Sequence, residues 1–77
     1  MITVEIHMHG NLRRFLPEGV ASMRMDVPEG TRVADLAESL KATQDVWVAS
    51  INKVVVPMSA PLADGAYLDL FPILEGG

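Results

Sequence analysis

The sequence predicts an α+β domain in which one helix lies on one face of a sheet. Two runs near the start alternate apolar and polar residues with a period of two, which is typical of strands with one buried face. A single central run places apolar residues at helical spacing. Runs rich in β-branched and aromatic residues follow it and predict further strands. The predicted order is therefore strand, strand, helix, strand, short strand, strand.

The first two strands form a predicted hairpin. In residues 2–8, apolar side chains at even positions alternate with Thr3, Glu5 and His7. In residues 22–27, apolar side chains at odd positions alternate with polar ones. About a dozen residues separate the two runs, too many for a two-residue turn. The connection is therefore predicted to be a long loop, with Leu12 and Leu16 as apolar anchors.

The helix is predicted from the spacing of Val33, Leu36, Ala37 and Leu40, which places four apolar side chains on one face. Thr31 is the best candidate for the N-cap, because its hydroxyl can accept a hydrogen bond from an unpaired N–H of the first turn. With that cap no reciprocal capping box is expected, since an alanine stands three residues later. The helix should have about three turns and must bury its apolar face against the sheet.

The last three strands are predicted at residues 46–51, 54–56 and 67–71. Asn52-Lys53 between the first two predicts a tight turn, because Asn tolerates a left-handed backbone. In the last strand Leu68 and Leu70 share one face, which we assign to the core. The opposite face then carries Tyr67, Asp69 and Phe71. Trp47 fits either a core position or a surface that contacts a partner.

Composition excludes several classes of function. At 77 residues the chain is one small domain. It contains no cysteine, which excludes disulfides, thiolate metal sites and a cysteine nucleophile. A net charge of −4 argues against a nucleic-acid-binding protein, whose binding surface is normally basic. No apolar run reaches membrane-spanning length and no export signal is visible, so a cytoplasmic protein without a membrane partner is expected.

Two pairs of residues leave their roles open. His7 and His9 are two apart and should share the solvent face of the first strand. They could bind a metal, but no cysteine or third histidine completes a ligand set, so ordinary surface histidines are favoured and no metal site is assigned. Arg13 and Arg14 could bind a carboxylate or a phosphate, although adjacent arginines in a loop are usually only solvated.

The end of the sequence carries the most specific signal. Gly76 and Gly77 stand last. Because neither residue has a Cβ, this backbone can enter a narrow channel and adopt conformations closed to other residues. One interpretation is that the reactive group is the α-carboxylate of Gly77. The alternative is an ordinary frayed terminus.

Several motifs, each weak alone, occur in an order that resembles the MoaD/ThiS family of ubiquitin-like sulfur carriers. They are Gly10-Asn11-Leu12-Arg13-Arg14, Pro-Glu-Gly-Thr-x-Val-x-Asp-Leu at 28–36, Ile51-Asn52-Lys53, Pro61-Leu62-x-Asp64-Gly65, Phe71-Pro72 and the terminal Gly76-Gly77. The resemblance covers the whole chain. It implies a β-grasp fold, with a mixed sheet of four to five strands, one main helix on one face, and the first and last strands parallel at the centre. The domain is then 1–72, and 73–77 is a flexible tail.

The resemblance also implies a function. Gly77 would be adenylated by an ATP-dependent, E1-like activating enzyme and converted to a thiocarboxylate, and a sulfur-accepting synthase would receive the sulfur. The expected destination is molybdopterin or thiamin synthesis, or a related pathway such as cysteine synthesis. The chain would bind no cofactor and would not itself be an enzyme. The implied partner-binding residues are Phe71, Pro72, Ile73, Leu74, Glu75 and Gly76.

Two other functions compete with sulfur transfer. The same activated carboxylate would serve a protein modifier that is conjugated to lysines of other proteins. A plain interaction domain with incidental terminal glycines is the third possibility. Phe71 also has two possible roles. It docks on the activating enzyme if it points outward, or it packs under the loop containing Leu12 and Leu16 if it belongs to the core. Outward placement is the hypothesis, because strand alternation puts Phe71 opposite Leu68 and Leu70.

Overall fold

A mixed five-stranded sheet organises the structure, a computed structural model that describes residues 1–73. The strands are β1 (Ile2–Met8), β2 (Ser22–Val27), β3 (Val46–Ile51), β4 (Val54–Val56) and β5 (Tyr67–Pro72). The sheet order is β2-β1-β5-β3-β4. β1 and β5 run parallel, whereas the other neighbouring pairs are antiparallel. This arrangement confirms the β-grasp class, including the parallel pairing of the first and last strands.

One face of the sheet is covered by helix α1 (Val33–Ser39). From the helix, Val33, Leu36 and Ala37 are buried. From the two central strands, Ile6 and Leu68 face the helix side by side in the parallel register, and both are fully buried. The apolar stripe of the helix and the core assignment of Leu68 and Leu70 are therefore confirmed.

The start of the helix differs from the prediction. The N-cap is Arg32, not Thr31. The Thr31 hydroxyl donates to the Pro28 carbonyl at 2.7 Å and is therefore not positioned over the first turn. Asp35 reaches back from the first turn and accepts a hydrogen bond from the Arg32 N–H at 3.0 Å. This supplies the acidic half of a capping box, which was not expected because the cap was predicted one residue earlier, at Thr31.

The end of the helix also differs, because α1 spans two turns and not three. It ends at Ser39, and Lys41 takes a left-handed conformation with φ of 61°. The Ala42 N–H then donates to the Ala37 carbonyl at 2.9 Å. This reversal closes the helix early, as left-handed caps do, and Leu40 still packs against the core from the cap position.

The connections agree with the predicted turns. Two 3₁₀ helices, Gly10–Phe15 and Pro17–Gly19, fill the long loop between β1 and β2, and Leu12 and Leu16 are buried. Asn52 and Lys53 both have positive φ, 52° and 72°, as a tight hairpin turn requires. Within residues 1–73, the single α-helix is too short to cross a membrane.

Candidate functional site

The candidate site lies on the sheet face opposite α1, which we call the open face. It is formed by the side chains that alternate with the core residues of the central strands. These are Glu5 and His7 of β1, Ser50 of β3, and Tyr67, Asp69 and Phe71 of β5, together with His9 and Lys53 in the adjoining turns. Phe71 thus lies on the face away from the helix, outside the core cluster, in agreement with the alternation of β5.

Two histidine–aromatic stacks occupy the centre of the open face. The His7 and Tyr67 rings have centroids 3.9 Å apart and an interplanar angle of 16°. The His9 and Phe71 rings are 4.5 Å apart at 10°. Parallel pairing of β1 with β5 brings these side chains together, because it places Glu5 opposite Tyr67 and His7 opposite Asp69. The aromatic rings are therefore held in fixed orientations by neighbours on another strand.

Asp69 is the buried charge of the open face. Its carboxylate is only 2% exposed. His9 Nε2 donates to Oδ1 at 2.9 Å, Lys53 Nζ lies 3.6 Å from Oδ2, and the Ser50 hydroxyl lies 3.4 Å from the same oxygen. A buried carboxylate is tolerated when it is paired in this way. His9 therefore contacts both the Asp69 carboxylate and the Phe71 ring. Lys53 likewise lies near both Asp69 and Tyr67, and its Nζ is 4.6 Å from the Tyr67 ring centroid.

The second carboxylate of this face is Glu5. His7 Nε2 donates to Glu5 Oε2 at 3.0 Å, and Arg24 Nε lies 3.7 Å from Oε1. The hydrogen bond from His7, followed by the charges of His7 and Arg24, holds the pKa of the Glu5 carboxyl below its ordinary value. The open face thus presents aromatic rings whose flanking charges are already matched.

The contacts of His7 and His9 with carboxylates and aromatic rings were not predicted from the sequence, because both histidines were interpreted as ordinary surface residues. Among residues 1–73, no group of three or more His, Asp or Glu side chains is arranged to hold a metal ion, and each histidine bonds a different carboxylate. The parallel pairing of β1 with β5 and the outward positions of both strands would have been enough to predict the stacks if the register of the pairing had been known. Periodicity within one strand does not determine that register.

The end of β5 is fastened to the rest of the fold. Pro72 pairs with Val46 of β3, and the Ile73 N–H donates to the Asp45 carbonyl at 3.1 Å. Beside it, a shift in the pairing of β3 with β5 between Val46 and Val48 leaves Trp47 63% exposed. Trp47 is therefore a surface residue close to the strand end.

Of the predicted site residues, the structure brings Phe71, Pro72 and Ile73 together at this strand end. Phe71 and Pro72 are half-buried, and Ile73 is exposed. Leu74, Glu75, Gly76 and Gly77 lie outside the described residues, as does the tail assigned to 73–77 beyond its first residue. An aromatic surface with matched charges, continuous with the strand that leads to Gly77, is suited to docking a protein next to the chain end.

Comparison with known proteins places this geometry in a family. The model of the ThiS family matches residues 7–77. Among solved structures, a Pyrococcus furiosus protein assigned as molybdopterin converting factor subunit 1 is 25% identical, with a TM-score of 0.76, covering 96% of this chain and 100% of that one. Small archaeal modifier protein 1 from H. volcanii is 18% identical, with a TM-score of 0.76, over 96% and 100%.

A third structure is a complex. The protein–protein complex of subunits 1 and 2 of the molybdopterin-converting factor from Helicobacter pylori contains a chain that is 22% identical, with a TM-score of 0.59, over 99% of this chain and 100% of that one. The search of curated proteins gave no significant match. The last two structural likenesses show a shared fold.

Proposed function

The chain belongs to the ThiS family, and on this premise we propose that it carries sulfur as a thiocarboxylate on Gly77. The family is one of small sulfur carriers, and the chain has their fold. The observation that carries the proposal is the extent of the family match, which runs through Gly76 to Gly77. The pathway it serves is proposed to be molybdopterin, thiamin or a related sulfur-requiring synthesis.

The proposed chemistry uses only the carboxylate of this chain. That group is anionic at neutral pH, because its pKa is about 3.5, and it resists nucleophiles. A carboxylate oxygen attacks the α-phosphorus of ATP and pyrophosphate leaves, which gives an acyl adenylate. Hydrosulfide, or a donor that delivers sulfur at the same oxidation level, then attacks the acyl carbon and AMP leaves, which gives the thiocarboxylate. The activating enzyme supplies ATP and charge stabilisation, and the carrier supplies a positioned terminus. Because adenylation consumes ATP, we place the cycle in the cytoplasm.

Docking on the open face explains how partners would select this chain. A terminal carboxylate and two glycines are common to any such end, so specificity has to come from nearby side chains. Phe71 is an aromatic side chain at the end of β5 and is already oriented by His9. We assign Phe71 to docking on the activating enzyme, and Ile73 and Leu74 to the entrance of the channel that receives Gly77.

A second partner is proposed for the transfer step. The Helicobacter pylori chain occurs in a complex of two subunits of its converting factor. This supports assembly of the present chain with a larger, sulfur-accepting synthase. The activating enzyme and the synthase both need access to Gly77, so we propose that they use the open face in turn.

Intact-mass spectrometry of the protein from its own cells tests the proposal directly. We expect a fraction of the chain to show the mass gained when one terminal oxygen is replaced by sulfur. A variant lacking Gly77 is the control and should not show this gain. If cells with an active pathway yield only the unmodified mass, the sulfur-carrier function is wrong.

Protein modification is the second candidate, and the likeness to small archaeal modifier protein 1 favours it. It predicts covalent conjugates larger than the chain, visible as a ladder with an epitope tag at residue 1, which disappear when Gly77 is deleted. Sulfur transfer alone predicts the mass gain without a ladder. If neither signal appears, a plain interaction domain remains.

A further inference from the structure

Gly10 lies directly under the ring of Pro72. It begins the 3₁₀ helix after β1 and has φ of +58°, in the left-handed region that disfavours side chains. A Cβ added to Gly10 would lie 3.0 Å from Pro72 Cγ and 3.8 Å from Cδ. Both backbone conformation and contact therefore favour glycine here, and the contact involves the last residue of β5.

Pro72 is held from its other side as well. It pairs with Val46 on β3, and the next residue, Ile73, donates its N–H to the Asp45 carbonyl. The Pro72 ring thus lies between the Gly10 backbone and β3. Since the proline ring fixes φ near −65°, the position of the ring constrains the backbone at the end of β5, up to the Ile73 N–H that bonds Asp45.

An ion pair also lies near the end of β5, but it constrains the position of Pro72 less strongly than the contact with Gly10. Arg14 Nη2 lies 3.1 Å from Asp45 Oδ1, and Nη1 donates to the Asn11 carbonyl at 3.1 Å. Both charged side chains are about half exposed, and exposed pairs contribute about 0–1 kcal/mol. The close contact of Gly10 with a rigid ring is the stronger constraint.

We propose that Gly10 is a positioning residue for activation of the terminus. Its bare backbone leaves room for the Pro72 ring, and we call this contact the seat. The seat holds Pro72 and Ile73 in place at the end of β5, which a docked partner has to reach to activate the terminus. The inference rests on the proposed function. A Cβ at residue 10 requires Pro72 to shift by a few tenths of an ångström. Because a displacement of about 1 Å at a reacting group can lower a rate by about 100-fold, we expect this smaller shift to lower the rate by less than that.

The chain offers a matched control for the backbone cost. Gly19 lies in the same loop with φ of +68°, and a Cβ there would meet nothing within 4 Å. Gly10→Ala and Gly19→Ala therefore carry a similar conformational penalty, but only Gly10→Ala disturbs Pro72. A third variant, Pro72→Ala, removes Cγ and Cδ and so empties the seat without changing Gly10.

Two measurements compare these variants. The first is amide hydrogen exchange of Ile73 in the isolated protein, which reports the hydrogen bond to Asp45. The second is ATP–pyrophosphate exchange with the activating enzyme of the same organism. We expect Gly10→Ala to speed Ile73 exchange and to lower kcat by about tenfold or more with little change in KM. Gly19→Ala should do neither, although both variants melt at lower temperature.

Pro72→Ala, alone and combined with Gly10→Ala, gives the decisive comparison. It should lower kcat by itself, and adding Gly10→Ala should then cost little more, because the ring that clashes is gone. The inference is overturned if Gly10→Ala matches Gly19→Ala in both measurements, or if the two changes are simply additive. If Gly10→Ala does not fold, an unchanged kcat and Ile73 exchange rate in Pro72→Ala overturns it. If the wild type itself gives no pyrophosphate exchange, the proposed function fails, while Ile73 exchange still tests the seat.

Discussion

The two faces of the sheet bury side chains by different means. Under α1, Ile6, Leu36 and Leu68 are buried as apolar groups that exclude water. On the open face, Asp69 is equally buried, but as a charge matched by His9 and Lys53. Apolar burial is insensitive to direction, whereas each pairing on the open face fixes an orientation. The difference indicates that the helix side provides stability, whereas the open face provides an ordered surface, which we propose that partners recognise.

Deleting Gly77 gives the largest expected separation of stability from function. No side chain is removed, so the melting temperature should change little, whereas activation should be abolished because the next residue ends short of the ATP site. Thermal melting and ATP–pyrophosphate exchange measure the two effects. A clear drop in melting temperature, or continued exchange, would contradict this.

Leu36→Ala should show the largest loss of stability. The side chain is 1% exposed beneath the helix, and truncation of a buried leucine costs about 2–5 kcal/mol. Urea unfolding measures the change, and Glu38→Ala on the exposed side of the same helix is the control. A loss under about 1 kcal/mol would mean that the helix face contributes less than its burial implies.

Phe71→Ala should show the opposite pattern to Leu36→Ala. We expect partner binding to weaken by about 2 kcal/mol or more, as for aromatic anchors of interfaces, while the fold persists. Titration calorimetry and melting measure the two effects. Val54→Ala is the control, because Val54 is exposed and pairs with Ile51, on the side of the sheet away from the open face. If Phe71→Ala loses stability and binds normally, the docking surface lies elsewhere.

His9→Ala tests whether the open face also contributes to stability. It removes the nearest partner of a buried carboxylate, and we expect a loss of about 1 kcal/mol of stability, since Lys53 and Ser50 remain near Asp69. Urea unfolding measures it. Adding Asp69→Asn should recover part of the loss by removing the charge. Additive effects in the double variant would show that His9 and Asp69 are not coupled.

Glu5→Gln should have the smallest effect, visible only as a change in pH dependence. His7 and Arg24 hold the folded-state pKa of Glu5 below its ordinary value. The carboxylate therefore stabilises the fold above its unfolded-state pKa, and this contribution is lost as pH falls through the folded-state pKa. Urea midpoints from neutral to acid pH should fall less steeply for Glu5→Gln than for the wild type. Parallel curves would show that the pair contributes nothing.

The helix side could be predicted from sequence because its signals are local. The apolar spacing of Val33, Leu36 and Ala37 and the alternation of β5 each lie within one element. The ends of α1 were missed for a local reason too: preference favours Thr31 as a cap, yet its hydroxyl bonds Pro28, and Lys41 is an unusual left-handed cap.

The open face resisted prediction because its contacts join distant parts of the chain. His9 and Asp69 are sixty residues apart in sequence, and their contact depends on the register of two parallel strands. Periodicity assigned both to the outward side but could not show that Asp69 is covered. The contact between Gly10 and Pro72 is hidden in the same way, since a glycine after a strand also fits an ordinary turn.

Because β5 lies between β1 and β3, the open face forms only after β5 has paired with both strands. Until β5 inserts between β1 and β3, the chain offers two separate hairpins with no common partner strand. Pairing over such a long sequence separation closes slowly, and this step brings His7 onto Tyr67 and His9 onto Phe71. A chain in which β5 has not yet paired therefore lacks the surface that we propose partners recognise, and under that proposal only folded molecules would compete for activation.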